Sequence, residues 1–99
     1  MSVIAELSIF PLSESTSLSP YVARVVSVIN DSGLDYQLGP MGTCIEGPWD
    51  KVMDVVDRCF QELATDCNRI YLTLKIDYQK DKDRRLQSKV HSVQDKLSS

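Results

Sequence analysis

A chain of 99 residues, 42% of them hydrophobic, supports one small two-layer core and no second domain. A net charge of −3 argues against a nucleic-acid partner, and no apolar run approaches the roughly 18 residues needed to cross a bilayer, which excludes a membrane partner. Glu6 and Ser8 interrupt the only N-terminal stretch that resembles a leader, and Cys44, Cys59 and Cys67 cannot all pair and show no CxxC spacing. The expectation is a cytoplasmic protein with reduced, mostly buried thiols.

Val3 to Phe10 alternates, with Val3, Ala5, Leu7 and Ile9 on one face and Ile4, Glu6, Ser8 and Phe10 on the other, the period of a strand. The Ser/Thr-rich run from Pro11 to Ser19 reads as a loop. Ser19-Pro20 then opens a helix, Ser19 as its cap and Pro20 at the first helical position. Val22, Val25, Val26 and Ile29 form one apolar stripe, and Gly33 suits a left-handed stop. Leu34 to Leu38 is the second strand. Gly39-Pro40-Met41-Gly42 is a turn, in which glycine is expected to supply positive φ. Thr43 to Glu46 is the third strand, stopped by Gly47, with Pro48 expected at the start of the next helix. That helix presents Trp49, Val52, Met53, Val56, Cys59, Phe60 and Leu63 on one face. Ile70 to Asp77 alternates again. After a charged junction at residues 81–83, Leu86, Val90, Val93 and Leu97 recur at 4-3-4 spacing in a last, narrow amphipathic helix.

The order is βαββαβ plus a helix. Two split βαβ units with right-handed crossovers give an α+β, ferredoxin-like sandwich, an antiparallel sheet in order 4-1-3-2 under two helices. The other sheet face is then bare and half apolar, Ile4, Phe10 and Tyr71 beside Glu6, Ser8, Cys44, Glu46, Thr73 and Lys75. Such a face suits burial against another copy, with Glu6 and Lys75 paired across strands.

In this topology the end of the first strand, the start of the first helix and the start of the third strand share one edge. Ser19, Thr43 and the 39–42 turn converge there, and a helix N-terminus offers N–H groups to a small polar or anionic ligand. Equally, Ser19 is only a cap and the turn only a turn. Glu46 fits either an acceptor for an amino-substituted heterocycle or a partner for Lys75. Trp49 either stacks on a ligand or joins the core. His91 has polar neighbours and no role. The sequence contains no Walker loop, GxGxxG, triad or Cys/His metal spacing, so neither an enzyme, a metal nor a resident cofactor is expected.

Met41-Gly42-Thr43-Cys44-Ile45-Glu46-Gly47-Pro48-Trp49-Asp50-Lys51-Val52-Met53 resembles the central motif of the YkoF-like family of thiamine-binding proteins. Ser19-Pro20-Tyr21-Val22, Gly33-Leu34-Asp35-Tyr36, Leu74-Lys75-Ile76-Asp77 and Lys89-Val90-His91-Ser92-Val93 extend the resemblance over essentially the whole chain. It implies a non-enzymatic, ferredoxin-like binder of thiamine or its hydroxymethylpyrimidine moiety, assembled as a homotetramer of paired dimers. Carried over by residue, Ser19 and Thr43 contact the pyrimidine, Glu46 its amino group, Tyr36 and Met41 line the pocket, and Gly42 leaves room. Where the family commonly has an arginine shortly after Asp77, this chain has Tyr78-Gln79-Lys80. The alternative is a ligand-free protein–protein module built on the bare sheet face and the last helix.

Overall fold

The computed structural model describes residues 2–12, 17–81 and 85–98; most of the connector before the first helix and of the charged junction lies outside them. Seven elements follow in order: β1 (Ser2–Pro11), α1 (Ser19–Asp31), β2 (Asp35–Leu38), β3 (Thr43–Pro48), α2 (Trp49–Ala64), β4 (Ile70–Tyr78) and α3 (Arg85–Ser98). The sheet runs β2-β3-β1-β4, antiparallel throughout, which is the expected ferredoxin-like order.

One face of β1 packs under the helices as its alternation requires: Val3, Ala5, Leu7 and Ile9 are all buried. They meet Val25 and Ile29 of α1 and Val52, Val55, Val56, Cys59 and Leu63 of α2 in one core. Each large aliphatic side chain removed from water here contributes on the order of 1.5–3 kcal/mol. Val55 belongs to this stripe, whereas Trp49 and Phe60 remain 53% and 40% exposed. Trp49 falls outside because β3 feeds straight into α2, so the first helical turn overhangs the end of the sheet. At the other end, Arg24 ties α1 to α2 through Glu62 and Asp66.

Three local expectations change. Ser19 is the first residue of α1 rather than its cap; Leu18 holds the N-cap position, with no side-chain cap bond. β3 continues through Gly47 and Pro48 because both pair with β1, opposite Val3 and Ser2, which leaves Pro48 as the N-cap of α2. The 39–42 turn needs no left-handed glycine: Gly33, at φ 78°, is the sole glycine with positive φ among the described residues. Gly39 and Gly42 serve close approach instead. A Cβ on Gly39 would sit 2.9 Å from the Gly42 carbonyl oxygen, and one on Gly42 3.1 Å from that of Leu7.

The second sheet face is not bare at both ends. The N-terminus of α3 lies over the row formed by Glu46, Ile4 and Asp77, leaving Ile4 only 9% exposed. Farther along that face Phe10 and its partner Tyr71 stack with ring centroids 5.8 Å apart.

Candidate functional site

The pocket arises from a mismatch in strand length. β1 pairs with β3 only as far as Leu7 opposite Thr43, yet continues along β4 to Pro11 opposite Ile70. Hydrogen-bonded and non-hydrogen-bonded pairs alternate in an antiparallel ladder. The Leu12 N–H donates to the Arg69 carbonyl at 2.9 Å, so in this register the even-numbered residues of β1 bond to β4. Ile9 therefore turns its N–H and C=O to the opposite side, where β3 has already ended. Residues 7–10, residues 38–43 and Leu18, Val22, Val25 and Val26 of the α1 region enclose about 350 Å³ there.

Thr43 is the polar side chain at the wall of this pocket nearest the core, 4% exposed. Its hydroxyl has no hydrogen-bond partner among the described residues and is not sealed from solvent, so it stands open to whatever enters the pocket. With the Ile9 N–H and C=O it makes a short edge of donors and acceptors, suited to the flat rim of a heterocycle. Neither Ile9 nor the valines of α1 stand out by residue type. The signal available for Ile9 is arithmetic: an alternating run in β1 twice as long as that in β3 must leave backbone unpaired.

The structure brings Met41, Gly42 and Thr43 together at this pocket, with Met41 on the hairpin tip at 85% exposure. Ser19 and Tyr36 border a shallower neighbouring groove that shares Val22, Val26 and Leu38 with it. The Tyr36 hydroxyl donates to Asn30 Oδ1 at 3.1 Å. Trp49 lies apart, since it is six residue steps along the strand from Thr43, about 20 Å at ~3.3 Å each.

Glu46 does not pair with Lys75, and it lies away from the Thr43 pocket, beside a separate recess that Tyr36 also lines. Its side chain is on the opposite sheet face, 6% exposed, and its carboxylate accepts the Arg85 N–H at 2.6 Å and the Leu86 N–H at 3.2 Å. It caps α3. Lys75 pairs with Glu6 instead, at 3.4 Å. Beside the cap, Arg85 donates to the Asp77 side chain and to its carbonyl, eight residues back, while Lys89 adds a third contact. The Lys89 and Arg85 hydrogen bonds hold the Asp77 carboxyl below the usual carboxylate range. Arg85 thus occupies Asp77 although no arginine follows it closely in sequence.

The start of α1 offers less to an anion than its position promised. The Ser19 N–H donates to Ser17 Oγ, Pro20 has none, and the Tyr21 and Val22 N–H groups donate to the Leu18 carbonyl. Among the described residues, no cluster of His, Cys, Asp and Glu could hold a metal ion, and no helix is long and apolar enough to cross a membrane.

Fold and pocket together define a ferredoxin-like domain with a recess of about 350 Å³ at the end of its sheet. Within that class the chain belongs to the thiamine-binding protein family, whose model matches residues 5–94. A UPF0045 protein of Methanothermobacter thermautotrophicus is 40% identical over 98 residues, covering 96% of this chain and 99% of that one. Among solved structures, a Methanocaldococcus jannaschii protein superposes with a TM-score of 0.86 at 32% identity, covering 93% of this chain and 95% of its own. A Thermotoga maritima protein, proposed to act in thiamine biosynthesis or salvage, gives a TM-score of 0.84 at 27% identity, with 94% and 99% covered.

Proposed function

We propose that this protein is a non-enzymatic, cytoplasmic binding protein for thiamine or a related aminopyrimidine, held at the Thr43 pocket. The observation that carries the reading is the Thr43 hydroxyl, open to the pocket and without a partner among the described residues, beside the Ile9 N–H and C=O that face the side where β3 has ended. An aminopyrimidine presents a ring nitrogen and an amino group side by side, an acceptor next to a donor. That pattern complements an N–H and a C=O from one residue, with the hydroxyl supplying a third bond. Apolar side chains on α1 and the hairpin then cover the ring, as in small-ligand pockets generally. Family membership and the Thermotoga neighbour support the choice of ligand. Met41, Gly42 and Thr43 are the expected contacts, with Ser19 and Tyr36 at the adjoining rim. Glu46 and Trp49 are left out.

Assembly as a homotetramer of paired dimers is part of the same proposal. Its support is the apolar surface left on the second sheet face and on α3, where Tyr71, Val93 and Leu97 are 51%, 58% and 80% exposed.

Calorimetric titration with thiamine and with hydroxymethylpyrimidine tests the ligand. Binding with a defined stoichiometry, weakened in Thr43→Val by about 1–3 kcal/mol or roughly 5- to 150-fold, is the expected result. An absence of heat from a folded sample removes the binding role and favours the interaction module.

A further inference from the structure

We propose that a second copy of the chain docks on the outer edge of β4, antiparallel about a two-fold axis at Thr73, so that two four-stranded sheets become one. This surface is distinct from the second sheet face and α3, and the pairing does not depend on what the Thr43 pocket holds. Edge, apolar cover and register each point to it.

β4 is nine residues long, contains no proline or glycine, and is bonded on one side only, because it ends the sheet order. Natural chains usually blunt so long an edge. The odd-numbered residues of β4 bond to β1, so Leu72, Leu74 and Ile76 turn their N–H and C=O groups outward.

The helices do not cover this strand as they cover its neighbour. Val3, Ala5, Leu7 and Ile9 of β1 are buried, whereas Leu72 and Tyr78, opposite Ile9 and Val3, stay 37% and 48% exposed. α2 packs on β1 and β3. At about 100° per residue, Trp49, Met53 and Phe60 share the flank of α2 turned away from Glu62 and therefore from α1. That flank adjoins the exposed side of β4, and Trp49 and Phe60 are exposed on it. The result is an apolar strip along one edge of the molecule, which a two-fold contact buries on both copies at once.

The register identifies the occupant as this same sequence. With the axis at Thr73, Ile70 meets the partner's Ile76 and Leu72 meets the partner's Leu74 on the helix side of the sheet. On the other side Thr73 meets the partner's Thr73, Tyr71 the partner's Lys75, and Arg69 the partner's Asp77. Apolar, Thr–Thr and opposite-charge pairs are the favourable kinds across strands. Arg69 is exposed and has no ion-pair partner among the described residues. An axis at Lys75 would instead set that lysine against itself.

Amide exchange of the full chain, read residue by residue, tests the pairing. The Leu72, Leu74 and Ile76 amides should exchange within about tenfold of Tyr71, Thr73 and Lys75, which β1 already holds. Leu72→Lys, tolerable in a lone copy because Leu72 is 37% exposed, should free the even-numbered amides, leave the odd-numbered ones protected and halve the sedimenting mass. Thr73→Cys should form a covalent dimer on mild oxidation, because opposed residues in a non-hydrogen-bonded pair have Cα atoms about 4.5 Å apart, within disulfide reach. The natural chain is the control for Cys44, Cys59 and Cys67. Even-numbered amides that exchange freely in the natural chain, or an unchanged mass in a folded Leu72→Lys, overturn the pairing. A folded Thr73→Cys chain that does not cross-link overturns the register. The exchange result on the natural chain decides whether or not either variant folds.

Discussion

Replacing Glu46 by alanine separates the two roles that this carboxylate has been offered. In the structure it accepts two backbone N–H groups from the first turn of α3, at 2.6 and 3.2 Å, from a position 6% exposed. A hydrogen bond to a charged group contributes about 1.5–3 kcal/mol net, and the longer of these two contributes less. Removing both costs the docking of α3 about 2–4 kcal/mol, roughly a 30- to 700-fold rise in its undocked population. Apolar packing compensates little, because Val90, Val93 and Leu97 are 40%, 58% and 80% exposed, which leaves the Arg85 and Lys89 contacts to Asp77 as the other tie. An isolated helix of 14 residues is marginal in water, so undocked α3 should unravel. Hydrogen exchange followed by mass spectrometry reads this directly. In Glu46→Ala, peptides covering residues 85–98 should lose protection while those covering β1 and α2 keep theirs, and Glu46→Gln should fall between. Affinity for hydroxymethylpyrimidine should stay within about twofold of the natural chain. Unchanged protection of α3 together with a large loss of affinity would refute the reasoning and return Glu46 to the ligand.

Two further outcomes follow from other parts of the molecule. Val93→Glu combined with Leu97→Glu should shift sedimentation towards smaller species, since both side chains are exposed apolar groups on one stripe of α3; an unchanged profile removes α3 from the interface. Thermal stability should be nearly flat from pH 7 to 5 and fall below about pH 4. Asp66, hydrogen-bonded by Arg24, and Asp77, hydrogen-bonded by Lys89 and Arg85, are both held below the ordinary carboxylate range. Their contribution is therefore present above the unfolded pKa and is lost as pH drops through the folded one. Asp77→Asn should blunt that acid loss, and an identical acid profile in the variant would contradict the assignment.

The sheet order was legible because β1 and β4 alternate cleanly and because one helix between consecutive strands permits few topologies. The Gly33 stop was legible for a local reason, its φ of 78°. What escaped the sequence depended on partners distant along the chain. Gly47 looks like a terminator until it is seen paired with Val3, and the Glu46 carboxylate looks unoccupied until Arg85 and Leu86, 39 and 40 positions later, present their N–H groups. Ser19 looks like a cap, yet Leu18 takes that position and Ser17 supplies the hydroxyl. At the pocket, Thr43 and Gly42 were visible as residue types. The Ile9 backbone was not, since main-chain groups look alike in every sequence and only the register shows which are unpaired.

The account's central claim is a location, and amide-resolved NMR during a hydroxymethylpyrimidine titration tests it most directly. The account predicts the largest shifts at Ile9, Gly42 and Thr43, with smaller ones at Val22 and Val26, while the Trp49 indole and the Arg85 and Leu86 amides stay in place. Shifts centred on Glu46, Arg85 and Leu86, with Ile9 and Thr43 unmoved, would contradict it.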